Sequence, residues 1–77
     1  MGRYLKQARH HAQRIEYYHK HAGTLGFKQA QHHYFQLDYF MIGADRSKND
    51  RTDAVVIRAL RESADKLMEE MRRREEE

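Results

Sequence analysis

The sequence predicts an all-α protein: a three-helix bundle in which the first two helices form a hairpin and a longer third helix packs along it. Three observations predict it. Apolar residues recur at alternating steps of three and four in three separate segments, the spacing of a buried helix face. Two glycine-containing breaks, residues 23–26 and 43–49, divide those segments. Proline and cysteine are both absent from the 77 residues, so no ring interrupts the helical pattern and no disulfide framework competes with it. A chain of this length is a single domain, and it buries only about 60% of its unfolded surface, which leaves a thin core.

The first helix is expected over residues 3–22. Leu5, Ala8, Ala12, Ile15, His19 and Ala22 form its stripe, widened by Tyr4, Tyr18 and Leu25. Alanines in that stripe allow a partner helix to approach closely. Gly23 is a natural C-terminal cap, because glycine takes the left-handed conformation at little cost. The short connection that follows suits an antiparallel helical hairpin.

The second helix is expected over residues 27–42. Phe27, Ala30, Tyr34, Leu37 and Met41 make one stripe. Phe35, Tyr39 and Ile42 make another on a neighbouring face, and Phe40 falls off both. From Tyr34 to Ile42 only Gln36 and Asp38 interrupt an apolar or aromatic surface. A helix apolar on so many faces is sandwiched between neighbours or meets a partner chain. Residues 33–42 also alternate as a strand would, and aromatic residues favour strands. Helix is preferred because the preceding residues keep the helical period.

Residues 43–49 read as a polar loop, and the third helix as residues 50–74. Ser47, Asn49, Asp50 and Thr52 are all competent N-caps, and Asp50 and Asp53 suit the positive end of the helix dipole. Ile57, Leu60, Ala64, Leu67 and Met71 form the stripe, with Val56 and Met68 beside it. Arg58–Glu62, Arg61–Asp65, Glu62–Lys66, Glu69–Arg73 and Glu70–Arg74 are opposite charges four apart. At 1.5 Å per residue the third helix spans roughly 37 Å and the second roughly 24 Å. Either the third helix overhangs, or another chain covers its end. Residues 72–77 carry no apolar side chain and read as a solvated tail.

Composition narrows the function classes. Apolar residues make up 39% and charged residues 35%, too apolar for a disordered chain and too charged for a membrane one. The N-terminal residues, MGRYLKQ, form no apolar signal core, so a cytoplasmic location is expected and no membrane partner. Charge is unevenly placed. Residues 1–48 hold eight Lys or Arg against three acids, and residues 49–77 hold seven against nine. A basic half of this kind suits an acidic partner.

Six histidines occur: His10, His11, His19, His21, His32 and His33. A helical metal site wants ligands three or four apart. These pairs are adjacent or two apart, so no metal and no cofactor is expected. A hairpin turning near residues 24–25 sets Glu16 level with His33 and His11 level with Asp38. Structural His–carboxylate contacts are expected there. Protonating all six would take the net charge from +3 to +9, the basis of a pH switch if they met at an interface. Catalysis has little support. There is no cysteine nucleophile, the only serines are Ser47 and Ser63, and residues 23–26 lack the composition of a phosphate loop. The chain is expected not to be an enzyme.

Two binding readings remain. For nucleic acid, Arg3, Lys6, Arg9 and His10 on the first helix and Lys28 on the second supply phosphate contacts. Residues 46–60, RSKNDRTDAVVIRAL, resemble the loop and second helix of ribbon-helix-helix repressors. That resemblance implies a DNA-binding dimer with a short strand before its first helix, for which residues 24–29 are the candidate. For protein, all eight aromatics lie between Tyr4 and Phe40, and five are tyrosines, a residue enriched at protein interfaces. The expected binding surface uses Tyr17, Tyr18, Tyr39 and Phe40, flanked by Arg14 and Lys20. The leading expectation is a non-enzymatic regulator or adaptor that binds another protein, inhibitor-like and able to form a homodimer. Composition of this sort is common among accessory proteins of phages and mobile elements.

Overall fold

The computed structural model describes residues 2–21 and 26–76. Three helices follow one another: α1 (Arg3–His21), α2 (Gly26–Arg46) and α3 (Arg51–Glu76). Each packs on the other two, and the bundle measures 44 × 15 × 14 Å. The all-α three-helix expectation holds. Residues 33–42 are helical, so the strand option is overturned. Gly26–Gln29 are helical as well, which removes most of the strand that the repressor resemblance requires. The expected cap Gly23, with Ala22 and Leu25, lies outside the described residues.

The largest departure from expectation is the end of α2. Residues 43–46 are helical rather than loop, because tertiary contacts override glycine's low helix propensity. Ala44 is fully buried, and Asp45 Oδ2 accepts a hydrogen bond from Arg58 Nη2 at 2.8 Å. At position 43 an added Cβ would stand 2.8 Å from the Tyr4 ring. Glycine there lets Tyr4 lie across α2. The longer α2 reduces the expected length mismatch with α3 to 21 against 26 residues.

The turn at residues 47–50 leads into α3. Asp50 is the residue that caps it. Its carbonyl accepts from Ala54 N at 2.9 Å, and its carboxylate is held by the Ser47 hydroxyl at 2.7 Å. Asp53 accepts a hydrogen bond from Gly2 N at 3.0 Å, which places a carboxylate at the positive end of α1. At the other end Arg74 donates to the His19 carbonyl at 3.0 Å, and His19 Nε2 meets Glu70 at 2.6 Å. Thus α3 runs parallel to α1 and serves both of its unsatisfied termini.

Among the described residues, alanines make up half of the buried hydrophobic core. Leu5, Ala8 and Ile15 from α1, Ala30, Leu37 and Ala44 from α2, and Ala54, Ile57, Ala64 and Met71 from α3 are buried. Pairing of Asp38 with Arg61 and of Asp45 with Arg58 fixes the α2–α3 register. In that register Ala30 lies level with Met71, Leu37 with Ala64 and Ala44 with Ile57. A large side chain meets a small one at every level, so the helices interdigitate closely. Close helices leave no room for rings at the centre. Phe27, Tyr34, Phe40 and Met41 therefore pack at the margin, half-buried, although Phe27 and Met41 share the apolar stripe of Leu37. Among the described residues no helix is long and apolar enough to cross a membrane.

Candidate interaction surface

Two sides of α2 meet other helices, and the third faces solvent. Along the α1–α2 seam the rings form a continuous strip. Tyr39 packs edge-on against Phe40 at 5.4 Å, and Phe40 also meets Tyr4 at 6.3 Å. His11 stacks on Phe40 at 5.7 Å. His33 stacks on Tyr18 at 5.9 Å. Arg14 then sits 5.0 Å from the Tyr17 ring and 5.2 Å from the Tyr18 ring, and donates to the Tyr18 hydroxyl at 3.1 Å. Cation–π contact of this kind holds a guanidinium in place without a carboxylate.

At the centre of the strip His11 and His33 bring their Nδ1 atoms to 2.9 Å. One nitrogen must donate and the other accept, so at least one ring carries no proton on Nδ1. Burial holds both rings below the ordinary histidine range. Nearby positive charge adds to it: His33, His10 and His32 act on His11, and His32, Arg14 and His10 act on His33. The expected contacts of Glu16 with His33 and of His11 with Asp38 are replaced by this pair. Helical phase is the reason, since Asp38 lies on the α3 side of α2 and is taken by Arg61 at 2.8 Å. Among the described residues no group of three or more His, Asp or Glu could hold a metal ion.

Outward from the strip, α2 presents Phe35, Tyr39 and Ile42, which are 60%, 67% and 43% exposed. They lie at i, i+4 and i+7, one row on one face. The opposite side of α2 is saturated instead. Tyr34 donates a hydrogen bond to Asp65, and burial followed by that bond pushes its hydroxyl up to about 12. Two open grooves of about 580 and 520 Å³ border α3: the first is lined almost wholly by α3 with Asp45, and the second lies between α2 and α3 and reaches Phe35 of the exposed row.

Of the expected protein-binding residues, Arg14, Tyr17, Tyr18, Tyr39 and Phe40 fall on or beside the strip. Lys20 is exposed but lies about 200° around α1 from Tyr18. Tyr17 and Tyr39 are exposed, whereas Tyr18 and Phe40 are half-buried. Of the expected nucleic-acid contacts, Arg3, Lys6 and His10 are exposed within one arc of α1, with Arg9 about 60° beyond Lys6. Lys28 is exposed on the outward side of α2. Phe35 and Ile42 were absent from the expected site, although their spacing with Tyr39 is visible in the sequence. Periodicity defines a row without saying which row faces out.

The fold and this surface define a small three-helix bundle with an unpartnered aromatic side. Compared with protein-family models, with curated proteins and with solved structures, the chain matches none.

Proposed function

We propose that this protein is a non-enzymatic regulator or adaptor that binds another protein through the outward side of α2 and the adjoining α1–α2 strip. The observation that carries the reading is the exposed row Phe35, Tyr39 and Ile42. Three large apolar side chains aligned on one face of a helix are costly to leave in water. Covering what is still exposed of each returns a part of the roughly 1.5–3 kcal/mol that full burial of such a side chain is worth. Tyr17 and Arg14 extend the surface with residue types that dominate binding energy at interfaces. Rings already packed edge to face lose little conformational entropy on docking.

The test is capture of binding proteins by the immobilised chain, with nuclease present, compared with Tyr17→Ala/Tyr39→Ala. Both positions are exposed, so the variant is expected to melt like the parent. A nuclease-resistant partner retained by the parent and lost by the variant supports the reading. Equal retention by both contradicts it.

A second reading rests on a different observation. Arg3, Lys6, His10 and Arg14 share one side of α1 with exposed Tyr17, an arrangement suited to phosphates and stacked bases. It predicts nucleic-acid binding that falls steeply with salt and is abolished by Lys6→Glu/Arg9→Glu.

A further inference from the structure

The carboxylates of the α1–α2 hairpin are turned away from the outward side of α2. Only Glu16, Asp38 and Asp45 occur in α1 and α2. Asp38 is bound by Arg61 and Asp45 by Arg58, both on α3. Glu16 lies on α1, about 140° around that helix from His11, the residue that faces α2. Within the row itself the fixed charges are both positive, Lys28 and Arg46; the nearest carboxylates, Asp65 and Glu69 of α3, border it beside Phe35, away from its two ends. Lys28, His32, Phe35, Tyr39, Ile42 and Arg46 are all exposed, and at 100° per residue they fall within an arc of about 80°. The apolar residues occupy the middle of the row. Lys28 and Arg46 stand near its two ends, about 27 Å apart along the axis.

We propose that this row receives an acidic amphipathic helix of a partner protein, with apolar residues at its centre and carboxylates toward both ends. The proposal rests on the protein-binding reading above and names the chemistry of the partner. Three arguments select this occupant. An α-helix has its backbone groups satisfied internally, so an extended strand gains no main-chain hydrogen bonds here, whereas an amphipathic helix gains the apolar row. Phe35 and Tyr39 offer faces for stacking, but interfaces with nucleic acid are far more positively charged than two fixed cations about 27 Å apart. A second copy is opposed by charge. Parallel pairing sets Lys28 against Lys28 and Arg46 against Arg46, and antiparallel pairing on the apolar centre brings Lys28 within about one turn of Arg46. Like charges so placed select against self-association.

The experiment is fluorescence anisotropy with three labelled synthetic peptides of about five helical turns and a 20-nucleotide single-stranded DNA. All three peptides carry leucines at i, i+4 and i+7. One has glutamates at both ends, one glutamines and one lysines. The glutamate peptide is expected to bind about fivefold more tightly than the glutamine peptide, the sum of the weak exposed ion pairs made by Lys28 and Arg46. Lys28→Glu/Arg46→Glu is expected to abolish that preference and to favour the lysine peptide, while melting like the parent. Equal binding of the glutamate and glutamine peptides overturns the acidic partner and leaves the protein-binding reading standing. Binding of the DNA alone overturns both. Concentration-dependent dimerisation in sedimentation, abolished by Tyr39→Ser, overturns the partner helix in favour of a second copy.

Discussion

The two solvent-bordering sides of α2 are built on opposite plans. Toward α3 its charged and hydroxyl groups join a network with α3: Asp38 with Arg61, Asp45 with Arg58, and Tyr34 with Asp65, which Arg61 also reaches. Away from α3 the same helix shows exposed rings and aliphatic side chains with cations near either end. A side that serves the fold satisfies its own groups, and a side that leaves apolar area in water is available to something else. The difference separates a face of α2 that serves the fold from the face on which the proposed recognition rests.

The widest break in that comparison is a pair of truncations two residues apart on opposite faces of α2. Leu37→Ala empties a fully buried position and is expected to cost about 2–5 kcal/mol, enough to unfold much of a chain this small. Phe35→Ala removes a larger but exposed side chain and is expected to change stability by no more than about 0.5 kcal/mol. Denaturant titration of both variants checks the pair.

Next in size is the response to acid. His11 and His33 hold protons less readily in the folded chain than in the unfolded one, chiefly because they are partly buried. The unfolded chain therefore binds more protons as the pH drops below the ordinary histidine value of about 6.5. Their contribution to stability is complete above that value and is lost as the pH falls through the lowered folded values. Protonating both Nδ1 atoms also removes the acceptor from the 2.9 Å contact. Melting temperature is expected to fall between pH 7.5 and 5.5, and His33→Phe, which keeps a ring beside Tyr18, should flatten the slope. An unchanged slope in that variant would show that other groups set the acid response.

Smaller again is Arg61→Ala. Arg61 pairs with Asp38 and lies 5.5 Å from the Tyr34 ring, but it is about one-third exposed. Loss of about 0.5–1 kcal/mol is expected. Arg73→Ala, which breaks a more exposed pair with Glu69, should cost only a few tenths of a kcal/mol. Circular dichroism melts rank the two.

Much of this fold was legible because periodicity is local. The stripes of α1 and α3 follow from spacing within a segment, and Asp50 was among the four capping residues that the sequence offers. The end of α2 was not legible, because Ala44 and Asp45 become helical through contacts with α3 that no local pattern encodes. The His11–His33 pair was missed for a similar reason. Register predicted which residues lie level, but helical phase decided that Asp38 turns to Arg61 and His33 turns to His11. On the expected binding surface Tyr17 and Tyr39 are exposed, whereas Tyr18 and Phe40 are half-buried, so truncating the latter two would disturb packing as well as any binding.

The most direct test of the division within α2 is the melting of Phe35→Ser/Tyr39→Ser/Ile42→Ser, measured at several protein concentrations. If the outward row serves recognition alone, this triple variant keeps its helical signal and melts within a few degrees of the parent, with no dependence on concentration. A variant that unfolds, or a parent whose melting rises with concentration while the variant's does not, would show that the row is part of the stabilising core and contradict the account.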